Sequence, residues 1–277
     1  MSPPASSDGG RTGRRPTAGL PFEPTASQLA TIVGYEARKL RHDPTELLLR
    51  AIQPALWLVV FGSVFSVVHV IPSGGLSYLQ FLTPGILAQS VLFIAIFYGI
   101  ASIRERELGI IIKFLVSPAP RTVLVGGRAL SASLRGLSQA VVVIVLATAL
   151  AVHLTVGPWS IVGVVVAVVL GSALFSTLSM VIASLVRTQE RFLGIGQLMT
   201  MPLFFASNAI YPLSLMPGWL RPFAYANPLT YLVDALRGLL TPTAPTLFSP
   251  GVDVGVLAAV TLGLIVLCAA LYPRMAQ

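Results

Sequence analysis

Charge is what this sequence has least of. Only 10% of its 277 residues are Asp, Glu, Lys or Arg, while 55% are hydrophobic and the mean hydropathy is +0.84. A soluble domain carries about 25% charged residues, so most of this chain does not face water. Long stretches hold no ionisable side chain, which argues against the one or two soluble domains that length alone allows. Cysteine is nearly absent. The single thiol, Cys268, lies in an apolar run near the C-terminus; alone it makes no intrachain disulfide and no cysteine-based metal site. It reads as a small apolar residue, buried or facing lipid. Lysine is scarce too: Lys39 and Lys113 follow Arg38 and Ile112, so the Gly-Lys-[Ser/Thr] of a phosphate-binding loop is missing. His42, His69 and His153 are scattered and read as interfacial rather than catalytic. With no HExxH pair, nucleophile elbow or paired-carboxylate helix, neither a metal site nor an enzyme is expected.

What is present is a series of apolar runs. Residues 51–71, 81–103, 129–152, 159–186, 192–211 and 252–272 are each near the ~20 residues needed to cross the hydrocarbon core. Residues 1–24, rich in Ser, Pro, Gly and Arg, read as a disordered tail. Arg14-Arg15 is followed by no apolar stretch until about residue 51, so a cleaved signal peptide is not expected. Between tail and first run, Leu29, Ile32, Val33 and Leu40 share one helical side, and Glu36, Arg38, Lys39 and Arg41 charge the other. That pattern predicts an amphipathic helix over 25–49, lying in the headgroup region or packed on a neighbour. Trp57, Trp159 and Trp219 fall near run ends or in loops, as interfacial aromatics do.

The net charge of +8 and the pI near 10.3 do not require nucleic acid. Sixteen of the 18 basic residues precede the first run, lie between the second and third or fourth and fifth, sit at the start of the third, or follow the sixth. Arg221 and Arg237, after the fifth run, are the exceptions. The positive-inside rule then predicts an even number of spans with both termini cytoplasmic. The acidic residues are expected outside the runs, which removes the mid-membrane carboxylates on which ion-coupled carriers usually depend.

Three segments bear on mechanism. After the second run, Arg104-Glu105-Arg106-Glu107 opens a loop in which Leu108, Ile111, Ile112 and Leu115 recur at helical spacing before Ser117-Pro118. The spacing predicts a short surface helix. It either anchors the loop or offers a soluble partner a rigid knob, with Glu105, Arg106, Glu107 and Lys113 as pairing groups. Residues 212–251 are broken by Pro212, Pro217, Pro222 and Pro228 yet stay apolar, which predicts two short helices dipping back into the outer leaflet, with Pro217 and Pro228 in their first turns. In the fifth run Gln197, Thr200, Phe204 and Asn208 share one face; with Gln89 and Ser90 of the second run and Gln139 of the third, they either line a pathway or bond neighbouring helices. Ser172 and Ser176 read as close helix packing.

The run Glu105-Arg106-Glu107-x-Gly109, followed by Phe114-Leu115-Val116-Ser117-Pro118 and Arg128-Ala129-Leu130, resembles the loop after the second span of type-2 ATP-binding-cassette (ABC) exporter permeases. Asn227-Pro228-Leu229-Thr230-Tyr231 and Asp234-Ala235-Leu236-Arg237-Gly238 extend the resemblance over roughly residues 25–275, within which the daunorubicin-type drug-resistance branch looks most similar. Ile110 and Lys113 stand where such permeases often have Thr and an acidic residue. The resemblance implies an all-α polytopic fold: six transmembrane helices, an amphipathic interfacial helix, a cytoplasmic coupling helix and short re-entrant external helices. It further implies a half-transporter in the inner membrane, paired with a second permease copy or a paralogue. Separate ABC ATPase subunits would bind ATP and Mg and meet the coupling residues Glu105, Arg106, Glu107, Gly109 and Lys113. The cargo would be a small hydrophobic or amphipathic compound; a lipid-linked polysaccharide exporter of the same fold and an ion-coupled secondary transporter are the alternatives. The charge distribution predicts that a reporter active only in the cytoplasm, fused after Gln277, gives signal in intact cells, and that one active only outside stays silent.

Overall fold

The computed structural model describes residues 51–68, 77–108, 121–155, 157–186 and 188–271. The expected tail at 1–24, the amphipathic helix at 25–49, His42, His69 and the surface helix with Gly109 and Lys113 lie outside the described residues. Among the described residues the chain is helical and contains no strand. Helix α1 covers residues 51–68 and contains a π-helical turn, Trp57–Phe61, ahead of α-helical Gly62–Val68. It is followed by α2 (Tyr78–Glu107), α3 (Arg121–Ala149), α4 (Pro158–Leu185) and α5 (Gln189–Phe205). A 3-10 turn at Leu213–Leu215 leads to two short helices, α6 (Arg221–Ala226) and α7 (Pro228–Leu240), and then to α8 (Pro250–Leu271).

Local chemistry sets the starts. Ser77 and Gln80 form a reciprocal capping box at α2, with the Gln80 N–H donating to Ser77 Oγ at 3.3 Å and the Ser77 N–H to Gln80 Oε1 at 3.0 Å. Pro158 opens α4, where a missing N–H costs nothing. Thr188 caps α5 by accepting from the Arg191 N–H at 3.4 Å. α2, α4, α8 and the Leu124–Ala149 stretch of α3 are long and apolar enough to cross a membrane. The fifth run forms a shorter element than expected. α5 stops after 17 residues, at Phe205 instead of near residue 211. α2 is longer than expected, because Arg104–Glu107 form its last turn and do not open a loop.

α2 and α4 are the centre of the bundle. Every residue from Phe81 to Leu92 is buried, and 67% of the most apolar stretch of α2 is covered, against 22% for α8. α4 packs on α2, α3, α7 and α8. Small residues allow the backbones to approach. A Cβ on Gly136 would stand 2.0 Å from Ser172 Oγ, and Ser133 Oγ donates across the same α3–α4 seam to Val169 O at 3.1 Å. Cys268 is fully buried in α8. Trp57 sits in an aromatic ladder, stacked on Phe61 at 4.3 Å and edge-on to Phe204 at 5.3 Å, whereas Trp159 and Trp219 are exposed.

Beyond α5 the chain leaves the helix while Ser207, Asn208, Ala209 and Ile210 stay buried. Pro202, near the end of α5, has no N–H to continue the helical ladder. The segment fits against α2 because Gly85 has no side chain: a Cβ there would lie 2.1 Å from Ala209 O. Its carbonyls are bonded from other elements. Asn227 Nδ2 donates to Leu203 O at 2.6 Å and Ala206 O at 2.9 Å, Arg237 Nη2 to Asn208 O at 2.8 Å, and Tyr78 Oη to Ile210 O at 3.2 Å. Asn227 also caps α7, accepting from the Leu229 N–H at 2.9 Å.

The two short helices expected after the fifth run are present, but Pro222, not Pro217, occupies a first turn. Pro217 instead opens a turn in which its carbonyl accepts from the Leu220 N–H at 2.9 Å. Pro228 opens α7 as expected. Leu229, Leu232, Val233, Leu236 and Leu240 give α7 one apolar face, which packs on α2, α4 and α8. Asn227→Ala removes a cap and the donor to two carbonyls. With a cap worth ~1 kcal/mol and a buried orphaned acceptor ~1–3 kcal/mol, the variant should lower the unfolding temperature of the detergent-solubilised protein well beyond Asn227→Asp, which keeps the cap; a circular-dichroism melt measures both.

Candidate functional site

The three charged residues that end α2 are each committed to a different neighbour. Successive helical residues point about 100° apart, so Glu105, Arg106 and Glu107 fan out from one turn. Glu105 forms a close ion pair with Arg128 of α3, and Arg128 Nη1 also donates to Ser102 Oγ at 3.4 Å. Arg106 Nη2 donates to Val186 O, at the end of α4, at 2.9 Å. Glu107 Oε2 accepts from Gln189 Nε2, in the first turn of α5, at 3.3 Å. The ion pair is part-buried, with side-chain exposures of 13% for Arg128 and 33% for Glu105. It is therefore less screened than a pair standing in open solvent. The end of α2 thus ties α3, the α4–α5 connection and α5 at one end of the bundle. Arg104 and Arg191 lie in the same end turns, on α2 and α5, and are exposed. Gly109 and Lys113, the other expected coupling residues, are not among the described residues.

The polar residues expected on one face of α5 separate. Phe192, Gly196, Thr200 and Phe204 form its buried stripe, each four residues from the next, and Gly196 meets Ile96 of α2. Gln197 stands one residue off that stripe and is exposed. Thr200 Oγ1 donates to Gly196 O within its own helix. Asn208 lies beyond the end of α5; its amide is buried with no hydrogen-bond partner on either atom, although its backbone carbonyl holds Arg237. In the second and third runs, Ser90 and Gln139 come together with Gln53 around a cavity of about 130 Å³, while Gln89 is buried and does not line it. A larger apolar groove of about 520 Å³ runs between α5 and α6, lined by Leu198, Leu203, Trp219 and Phe223 among others.

Sequence reasoning missed a buried charged cluster at the end of the bundle opposite the α2 node. Arg237, read as a loop cation, is 2% exposed; its guanidinium lies 4.0 Å from the centroid of the Phe81 ring. The cation is held by ring and carbonyls, a geometry available to a weakly hydrated guanidinium. Asp234, one turn earlier, accepts from the Leu247 and Phe248 N–H groups at 2.9–3.0 Å and so fastens the connection to α8. Asp253 corrects the expectation that every acidic residue lies outside the runs. It is the second residue of the sixth run, in the first turn of α8, and it is buried with Oδ1 unpartnered. The i, i+3 spacing of Asp234 and Arg237 was the available signal, but apolar neighbours alone do not show which polar residues turn inward. No cluster of three or more metal-ligating side chains occurs among the described residues.

Comparison with known proteins narrows what this arrangement serves. A relative named as a transport permease, ycf38 of Cyanophora paradoxa, is 29% identical over 203 residues, covering 73% of this chain and 70% of its own. The daunorubicin resistance ABC transporter permease protein DrrB1 of Streptomyces coeruleorubidus is 25% identical over 235 residues, covering 85% of this chain and 81% of its own. The inner membrane transport permease YadH of Escherichia coli (strain K12) is 26% identical over 188 residues, covering 66% of this chain and 70% of its own. The family described as ABC-2 type transporter matches residues 27–241, a stretch that runs from before α1 through α7 and includes the whole α2 node. The chain belongs to the ABC-2 type transporter family.

Proposed function

We propose that this chain is the membrane-spanning permease subunit of an ATP-driven exporter, which moves a hydrophobic or amphipathic compound outward across the inner (plasma) membrane. The observation that carries the reading is the α2 node, a fixed junction of three elements in a member of a transporter family whose sequence has no phosphate-binding loop of its own. In this reading the work enters from another chain. Separate ABC ATPase subunits supply it, binding ATP and Mg themselves, and a second permease copy or a paralogue completes the pathway.

In this reading residues 25–277 form one transmembrane domain behind the 1–24 tail. α1 and α5 serve as first and fifth spans beside the four longer helices, and α6 and α7 dip into the outer leaflet near the exit. The segment after Glu107, with Gly109 and Lys113, supplies the coupling helix that meets the ATPase. Arg104, Arg106, Arg128 and Arg191 gather at the node end, which supports a cytoplasmic placement of that end and of both termini. The name of DrrB1 supports a drug or antibiotic as cargo; a lipid-linked polysaccharide is the alternative within the same fold. Asp253 is the one observation that favours an ion-coupled carrier.

Reconstituted in proteoliposomes with a partner ABC ATPase subunit, the chain should export a fluorescent amphipathic drug only when ATP is supplied. Reversing both acidic charges (Glu105→Lys with Glu107→Lys) should cut transport-linked ATP turnover severalfold while the complex stays monodisperse. Turnover that ignores the double reversal would sink the coupling assignment, and transport abolished by a protonophore without ATP would favour the ion-coupled reading.

A further inference from the structure

Charges at the end of a helix facing a soluble partner are ordinarily expected to point at that partner. Here they point sideways. Glu105 is turned onto Arg128, and Arg128 reaches both Glu105 and Ser102, so one guanidinium grips two positions of α2, three residues apart, from α3. Arg128 stands in the second turn of α3, Arg121–Ala149, which places its anchor at the N-terminal end of that helix. Two further spokes, Arg106 to Val186 and Glu107 to Gln189, leave the same turn of α2 in other directions. The contacts differ in kind. The spoke to α3 joins two opposite charges in a part-buried setting, whereas the spoke to α5 is an exposed contact between a neutral amide and a carboxylate. Both bonds have an ionised acceptor, but only the one to α3 joins two ionised groups, and it is the less exposed and less screened of the two, so the link to α3 resists separation more than the link to α5.

We propose that Arg128 is a positioning residue for energy coupling: by holding Glu105 and Ser102 it makes the node ends of α2 and α3 move as one body, while α5 follows through a looser contact. The inference rests on the reading of the chain as an ATPase-driven permease and adds how a push on the segment after Glu107 is shared among helices. Glu105 acts through Arg128 and inside the permease, and its charge is not itself a docking group for the ATPase. The sign of either charge is then unimportant as long as the two are opposite.

A charge exchange separates the two possibilities. Glu105→Arg and Arg128→Glu, each alone, place like charges together and should lower drug transported per ATP hydrolysed at least about threefold, a size in keeping with couplings between contacting charges. The double exchange, E105R/R128E, should recover most of the wild-type ratio, and Arg128→Lys should retain more of it than Arg128→Gln. The proposal is overturned if the exchange is no better than the worse single variant, or if Arg128→Gln transports as well per ATP as the wild type. A second measurement needs no ATPase: spin labels at exposed Arg104 on α2 and at Leu130 on α3 should show a distance distribution that broadens in each single variant and narrows again in the exchange. Narrow distributions in every variant overturn the clamp even when the ATPase link is sound. Absence of ATP-dependent transport by the wild-type complex, with the label distances behaving as expected, would instead fault the exporter reading.

Discussion

A backbone that leaves the helix among apolar helices must have its carbonyls bonded from within the protein, and around the end of α5 side chains from other elements supply such bonds. Asn227, Arg237 and Tyr78 donate to the carbonyls of Leu203, Ala206, Asn208 and Ile210, and these donors come from α7, its cap and α2. In lipid no water is at hand to take their place. The requirement accounts for a fully buried arginine in a chain so poor in charge, and for an asparagine that serves as cap and cross-brace together. It also ties α5, α7 and α2 into one body at that end, since none of the three can shift without stranding a carbonyl of another.

The rest of the bundle solves the complementary problem of bringing helices close when lipid is as apolar as the side chains. Burial in such a setting gives little preference for neighbour over lipid, so contact depends on shape and on hydrogen bonds across seams. Gly85 and Gly136 open space where an added Cβ would collide with Ala209 O and Ser172 Oγ. Ser133 and Ser179 reach carbonyls of the facing helix, Val169 O and Ile96 O, and Ser179 Oγ also accepts from the Gly99 N–H at 2.9 Å. α4 is central because it offers such surfaces to α2, α3, α7 and α8. The two ends of the bundle are therefore closed by different chemistry, one by carbonyls and their donors, the other by the charges of the α2 node. The node end is held by an ion pair, a side-chain pair and one bond to a carbonyl, the far end by side-chain donors aimed at the carbonyls of an unwound backbone.

Much of the architecture was legible in the residues. Proline at 158 and 228, the Ser77–Gln80 box and unbroken apolar stretches mark helix starts and spans, and these signals are local. Thus α4 and α8 lie within two residues of their expected limits, and the two short helices after α5 appear where prolines cut the loop. The membership in a transporter family was likewise carried by contiguous motifs around Glu105 and Asn227. What misled was inference from periodicity at run ends. The fifth run is apolar through Ile210, yet its helix stops at Phe205, because Asn227 and Arg237, 20 or more residues downstream, supply the bonds that let the backbone unwind. Gln197 keeps helical register with Thr200 and Phe204 but falls outside the stripe that meets α2.

By itself the sequence determined that the chain is helical and carries apolar runs long enough to cross a membrane, since composition and run length depend on no long-range contact. Only the tertiary structure decided which helix is central, because α2 and α8 have similar hydropathies of 2.1 and 2.7 and differ in what surrounds them. It alone decided which charges turn inward. Glu105, Arg128, Asp234, Arg237 and Asp253 are partnered or buried by residues far away in the chain, and the energy of a charge depends on that surrounding medium and not on its neighbours in sequence.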